Sequence, residues 1–270
     1  MQHKTLLRIA TAAALSALAA FSFPAWAQKS AKPTPTAKPV KQGMVVPAYF
    51  GPGELWTKMA DATSDASIVA IMNPGSGPGS AARPDYVTQI KAAQAAGVSV
   101  IGYVHTSYGK RPIAEVQAEI KQYYQWYAVN GIFFDEVGND DKTLAYYAKC
   151  QRIVRATDPK ALVIINPGTP VTEGYMKVAD IVVTFESGYD AYVKRAADPV
   201  WVSRYPAKRF WHLIYAAPDE KALQNAVRLS KQRNAGWLYV TPDTLPNPWD
   251  TLPEGAYWTA HLSGLAAPKR

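Results

Sequence analysis

Short runs of consecutive apolar residues alternate along this chain with longer stretches in which apolar positions return every three or four residues. Eight runs read as strands: residues 44–49, 68–72, 98–104, 131–134, 162–166, 181–184, 210–215 and 236–240. Several, among them Ile132-Phe133-Phe134, are apolar without alternation, as strands covered on both faces are. Helical patterns fill the gaps. Residues 86–96 open after Pro84-Asp85 and stop at Gly97, a start and a stop signal in the right order. Residues 113–128 carry Ile113, Val116, Ile120, Tyr124 and Tyr127 close to one 3.6-residue stripe, and 144–156 and 220–233 read alike. A short last helix, 257–262, follows a stretch rich in Pro and Asp. Gly97, Gly131 and Gly236 stand where helices turn straight into strands and read as helix-ending glycines.

Eight β-then-α units predict an α/β fold, a single-domain (β/α)8 barrel of the TIM type. The competing doubly wound sheet lacks support, because no G-x-G-x-x-G follows the first strand. Gly75-Ser76-Gly77-Pro78-Gly79 has no Lys or Thr to hold phosphate, and Pro78 removes an N–H that a cradle needs. It reads as a rim loop.

The N-terminal region changes the domain count. Lys4 and Arg8 precede or flank an apolar stretch over 9–20, and Ala25-Trp26-Ala27 is a small-x-small site. This predicts a secretory signal peptide over 1–27, cleaved after Ala27, with a secreted or periplasmic destination and no stable membrane insertion afterwards. Residues 28–42 hold Lys29, Pro33, Pro35, Lys38, Pro39 and Lys41 with almost nothing apolar, and read as a disordered linker. The folded domain is then 43–270.

The net charge of +8 misleads for the same reason. Residues 1–41 carry six Lys and Arg and no acidic residue, which leaves 23 basic against 21 acidic in the rest. A domain so near neutrality has no electrostatic footprint for nucleic acid. The single cysteine, Cys150, forms no internal disulfide and falls on a helix, where burial is its expected state. A monomer is expected.

In such a barrel the chemistry gathers where strands end. The residues there are Tyr49, Asn73, Tyr103 with His105, Asp135 with Glu136, Asn166, Glu186, Tyr215 and Tyr239. Most are polar or amphipathic, after neighbours that are Val, Ile or Phe. Asp135-Glu136 is the sharpest of these switches, since a core rejects unpaired carboxylates. Neighbours on a strand face opposite sides, so one of the two enters the mouth. Glu186, two strands away, supplies a third carboxylate. Glycoside hydrolysis needs one carboxyl protonated and one ionised, so Asp135, Glu136 and Glu186 are the candidate catalytic residues. Asp135 is taken as nucleophile, Glu186 as general acid/base and Glu136 as a residue that orients or tunes one of them. Retention and inversion both remain open. Tyr49, Asn73, Tyr103, His105, Asn166, Tyr215 and Tyr239 are the candidate substrate-binding residues. The tyrosines read equally as wet rim aromatics. Asn73-Pro74-Gly75 and Asn166-Pro167-Gly168 read equally as turns. His212 lies inside an apolar run and reads as structural; His261 lies near the tail. No His pair at ligand spacing occurs, so no metal and no cofactor are expected, and the absence of G-x-S-x-G argues against an α/β-hydrolase.

The phrases Val46-Pro47-Ala48-Tyr49-Phe50, Asn73-Pro74-Gly75, Gly102-Tyr103-Val104-His105-Thr106, Gly131-Ile132-Phe133-Phe134-Asp135-Glu136, Asn166-Pro167-Gly168 and Thr184-Phe185-Glu186 occur in this order. The chain resembles the spherulin-4 family over roughly 45–240. That resemblance implies a (β/α)8 glycoside hydrolase, secreted or membrane-anchored, whose characterised relatives cleave α-1,4-linked N-acetylgalactosamine in galactosaminogalactan, a biofilm exopolysaccharide. It also implies that Asp135, Glu136 and Glu186 match the family's acidic active-site positions. The partner expected is therefore an amino-sugar polysaccharide, and with such a substrate attack by its own acetamido carbonyl stays open beside retention and inversion. A carbohydrate-binding barrel without turnover and a metal-dependent polysaccharide deacetylase are the alternatives.

Overall fold

The eight apolar runs become eight parallel strands, each hydrogen-bonded to the next in chain order: β1 (Met44–Ala48), β2 (Ile68–Met72), β3 (Ser99–His105), β4 (Gly131–Asp135), β5 (Leu162–Ile165), β6 (Ile181–Gly188), β7 (Phe210–Tyr215) and β8 (Trp237–Val240). Gly43 closes the circle. Its N–H donates to the Gly236 carbonyl at 2.9 Å, and its carbonyl accepts from Leu238 N–H at 3.1 Å. This computed structural model describes residues 41–266. The expected leader 1–27, all but the last two residues of the linker 28–42, and residues 267–270 lie outside them. Among the described residues no helix is long and apolar enough to cross a membrane.

Among the described residues seven α-helices lie between and after the strands: α1 (Glu54–Asp61), α2 (Pro84–Ala95), α3 (Ile113–Tyr127), α4 (Leu144–Thr157), α5 (Tyr189–Lys194), α6 (Glu220–Gln232) and α7 (Gly255–Leu265). The β5–β6 crossover departs from the expected eight-fold repeat. It contains only a 3₁₀ helix, Glu173–Lys177. Pro167, Gly168, Pro170 and Gly174 leave that segment too few good helix formers for a longer turn. The sequence pattern also passed over α1 and α5, which are short and bury only Trp56 and Met59, and Tyr192. On α3 the buried face runs through Val116, Ile120, Tyr123 and Tyr127, so Tyr123 takes the place expected of Tyr124.

The junction glycines do two different jobs. Gly97 has φ 95° and ends α2, with its N–H bonded to Gln94 O at 3.0 Å and that of Val98 to Ala93 O at 3.0 Å. At the other two junctions the left-handed residues are Ala128 (φ 49°) and Asn234 (φ 55°). Gly131 and Gly236 are glycines because backbone passes against them. A Cβ on Gly131 would lie 2.1 Å from Leu162 O, and one on Gly236 2.5 Å from Lys208 N.

Contacts across the barrel identify its interior. Phe133 of β4 and Trp211 of β7 sit on non-adjacent strands with ring centroids 5.9 Å apart, so both point inward. Register then carries inward orientation from Phe133 to Ile164, from Ile164 to Ile181 and, two residues on, to Val183, which pairs with Trp211. His212 points outward, as expected of a structural residue. It is fully buried between Tyr192 Oη (2.8 Å from Nδ1) and Thr184 Oγ1 (3.2 Å from Nε2).

His261 on α7 is also fully buried, with neither ring nitrogen partnered. Burial holds its pKa down to about 3. The imidazole is therefore neutral in the fold, while in the unfolded chain it takes a proton below about 6.5. Its contribution is present above that pH and is lost as pH falls from 6.5 toward 3. His261→Leu is expected to raise stability by about 1–2 kcal/mol at pH 7 and to flatten the acid side of the stability curve, measured by urea unfolding between pH 4 and 8. An unchanged acid slope would refute the assignment.

Candidate active site

Asp135 is the last residue of β4 and lies two positions beyond inward-facing Phe133, so it too enters the barrel mouth. Tyr103 on β3 reaches it from the same side, donating its hydroxyl to Asp135 Oδ2 at 2.8 Å. Asn166 follows β5, and its Nδ2 donates to Asp135 Oδ1 at 2.8 Å and to Glu186 Oε2 at 2.6 Å. One amide thus joins two carboxylates. The two oxygens it holds are closer together than the sum of those bonds, short of the roughly 6.5–9.5 Å of an inverting pair.

Glu186 reaches the mouth through an irregularity. Val183 pairs with Trp211, but Phe185 pairs with His212, so Thr184 is an extra residue in β6. With regular alternation from inward Val183, Glu186 would face the helices. The bulge moves it to the inward side, opposite Leu213, and sends Phe185 outward onto Tyr192 at 4.8 Å between ring centroids. β6 runs on to Gly188, so Glu186 is held within a strand rather than just beyond one.

Glu136 behaves differently. It is the first residue after β4 and has φ 53°, the left-handed region that a non-glycine residue enters at a cost. Its carbonyl accepts from Tyr108 N–H at 2.7 Å and from Thr106 Oγ1 at 2.9 Å, which hold this turn in place. Its backbone N–H favours the ionised Asp135 carboxylate, and its charge opposes that ionisation. The pair expected from the sequence therefore divides: Asp135 joins Glu186, and Glu136 shapes and charges the turn beside them.

The environments separate the two carboxyls. Burial raises Glu186 to about 7, with the nearby Asp135 charge adding to the shift and donors from Asn166 and Trp249 opposing it. Burial also raises Asp135, but the Glu136 N–H, the Tyr103 hydroxyl and the Asn166 amide all stabilise its ionised form. Glu186 is the carboxyl that keeps a proton near neutrality, and Asp135 the one that gives it up. Tyr103 and Tyr49 stay protonated, because burial and then the Asp135 charge push both hydroxyls up.

Around the carboxylates, Tyr49 stands edge-on to Tyr103 at 5.6 Å. Tyr215 ends β7 beside Gly188 and packs edge-on to Trp249 at 6.1 Å. His105 ends β3 in register with Asp135 and is half-buried. Two of the expected residues are engaged within the fold. Asn73 uses its Oδ1 to accept from Gly77 N–H at 3.0 Å, which makes it the turn residue of the rim loop. Tyr239 has no exposed surface; its ring lies beneath Trp249 at 6.0 Å and its hydroxyl donates to Thr251 O. Trp249 was not anticipated. It comes from the Pro-rich segment after β8, where no periodicity points to a site, and it is tied to the end of β1 by Tyr49 N–H on its carbonyl at 3.2 Å. Among the described residues, no three His, Cys, Asp or Glu side chains stand together as a metal set.

Fold and site define an eight-stranded TIM-type barrel with two carboxyls of opposite protonation preference at its mouth, the equipment of glycosidic-bond chemistry. The chain belongs to spherulation-specific family 4, whose family model matches residues 43–264. It is 35% identical to Spherulin-4 of Physarum polycephalum over 184 residues, 64% of this chain and 54% of that relative, so the match spans about half of the relative's length. Among solved structures it is similar to Aspergillus clavatus Sph3 in complex with GalNAc, with TM-score 0.72, 27% identity, and 84% of this chain and 98% of that one covered. That similarity supports a glycosidase or carbohydrate-binding role. The active domain 2 of a Pyrococcus furiosus chitinase shares the fold at TM-score 0.54 and 14% identity, over 86% of this chain and 96% of that one.

Proposed function

We propose that this protein is an endo-acting glycoside hydrolase, secreted or periplasmic, that cleaves an amino-sugar exopolysaccharide with α-1,4-linked N-acetylgalactosamine or galactosamine. The observation that carries the reading is the bridge from Asp135 through Asn166 to Glu186, which holds the two carboxyls in one cleft and supports a retaining pair. Glu186 protonates the glycosidic oxygen as Asp135 attacks C1. Water, deprotonated by Glu186, then releases the sugar from Asp135. Tyr49, Tyr103, His105, Tyr215 and Trp249 line the approach and offer ring faces and hydrogen bonds to sugar. The GalNAc bound to Sph3 supports the choice of sugar, and the leader expected over 1–27 supports export.

The test is incubation of the purified domain with N-acetylated and de-N-acetylated galactosaminan, followed by mass spectrometry of the products. Oligosaccharides of several lengths are the expected outcome; intact polymer in both cases would defeat the proposal. The pH profile of kcat/KM adds a second check. Activity needs ionised Asp135 and protonated Glu186, so it rises across an acid limb set by Asp135 and falls across a basic limb near pH 7, where Glu186 loses its proton. A plateau extending beyond pH 9 would remove Glu186 from the acid role.

A further inference from the structure

We infer that Asn166 selects the substituent at C2 of the sugar being cleaved, through an unpaired acceptor that it holds at the reacting centre. This rests on the glycosidase reading above. Asn166 is only 7% exposed. Its Nδ2 is engaged by both carboxylates, at 2.8 Å to Asp135 and 2.6 Å to Glu186. Because those partners are acceptors, the nitrogen faces them and Oδ1 points away. That oxygen is buried and has no partner. A desolvated amide oxygen left unbonded is disfavoured, and where one persists a ligand group is a reason for it.

Geometry narrows which group. Asp135 is placed to attack C1, and the amide that holds Asp135 also carries the free acceptor. The substituent one bond from C1 sits on C2. A hydroxyl, an acetamido N–H or an ammonium there satisfies Oδ1, whereas a hydrogen does not. Gly168, with φ 64°, lies beside this oxygen, and a Cβ there would stand 3.8 Å from Oδ1 in ordinary van der Waals contact. Hydrogen bonds at C2 strengthen as charge develops at C1, so the selection acts on kcat more than on KM.

Matched synthetic α-1,4-linked oligomers bearing acetamido, hydroxyl or hydrogen at C2 of the sugar at the cleaved bond test this in wild type and in Asn166→Ala. In wild type, kcat/KM is expected to fall roughly 10- to 100-fold from the acetamido to the hydrogen oligomer, with the loss in kcat. Asn166→Ala is expected to be slower on all three and to lose that discrimination. Equal discrimination in both enzymes overturns the inference, and so does a wild type that cleaves the hydrogen oligomer as fast as the acetamido one. Where the variant fails to fold, the wild-type comparison by itself still overturns the inference if the hydrogen oligomer is cleaved as fast as the acetamido one. Failure of wild type to cleave any oligomer instead defeats the glycosidase reading, and this inference with it.

Discussion

Glu186→Gln is expected to lower kcat on the cleaved polymer by about 10²–10⁴-fold, the worth of a positioned general acid, and Asp135→Asn by at least as much. The two losses are separable by chemistry. A glycosyl fluoride has a leaving group that needs no proton, so Glu186→Gln should still form the intermediate on Asp135, and added azide should capture it with retention of configuration. Asp135→Asn lacks the nucleophile and should show neither. Stability moves the other way for Glu186. Its folded pKa of about 7 lies above the ordinary 4.5, so the contribution is fully present below pH 4.5 and is lost as pH rises to 7. Glu186→Gln removes that loss and should raise stability at pH 8 by about 2 kcal/mol while leaving it near wild type at pH 4. An inactive variant with unchanged stability at both pH values would mean that Glu186 is not the strained, protonated group described above.

Gly131→Ala should be the most damaging single methyl group in the fold. Gly131 is the first residue of β4, and a Cβ there would lie 2.1 Å from Leu162 O and 2.7 Å from Leu162 N, both backbone atoms of β5. No rotamer relieves such a clash; β4 and β5 must part. The N–H of Leu162 donates to Asn130 O at 2.9 Å, and the side chain of Asn130 accepts from Val100 N–H at 2.8 Å, so the displacement reaches β3 as well. A loss of about 4 kcal/mol or more is expected by urea unfolding. Gly51→Ala is the control, since nothing lies within 4 Å of a Cβ at that position, and it should stay within about 0.5 kcal/mol of wild type. Equal effects at the two positions would show that the close approach of β4 to β5 is not what requires glycine.

Most of the barrel is legible in the apolar runs, because strands covered on both faces must be apolar throughout, and that constraint is local. The elements it misses are those whose apolar content is too small to make a pattern, α1 and α5, and the β5–β6 crossover, where prolines and glycines replace a helix. The catalytic carboxylates are legible for a related reason. Asp135 and Glu186 follow apolar residues that have no use for charge, so each stands out against its own strand. Trp249 has no such contrast, lying in a segment without periodicity.

The residue pattern alone therefore settles the number and order of the strands and which acids follow their apolar runs, since each depends on neighbours in the chain. It does not settle which acids meet. Asp135 and Glu136 are adjacent in sequence yet part at a left-handed turn, and Glu186 enters the cleft only because Thr184 is one residue too many in β6. Asn166 reads equally as a turn residue and as a substrate contact until its amide is seen between two carboxylates from different strands. These outcomes depend on register between segments far apart in the chain, and a shift of one residue reverses the face of every side chain that follows.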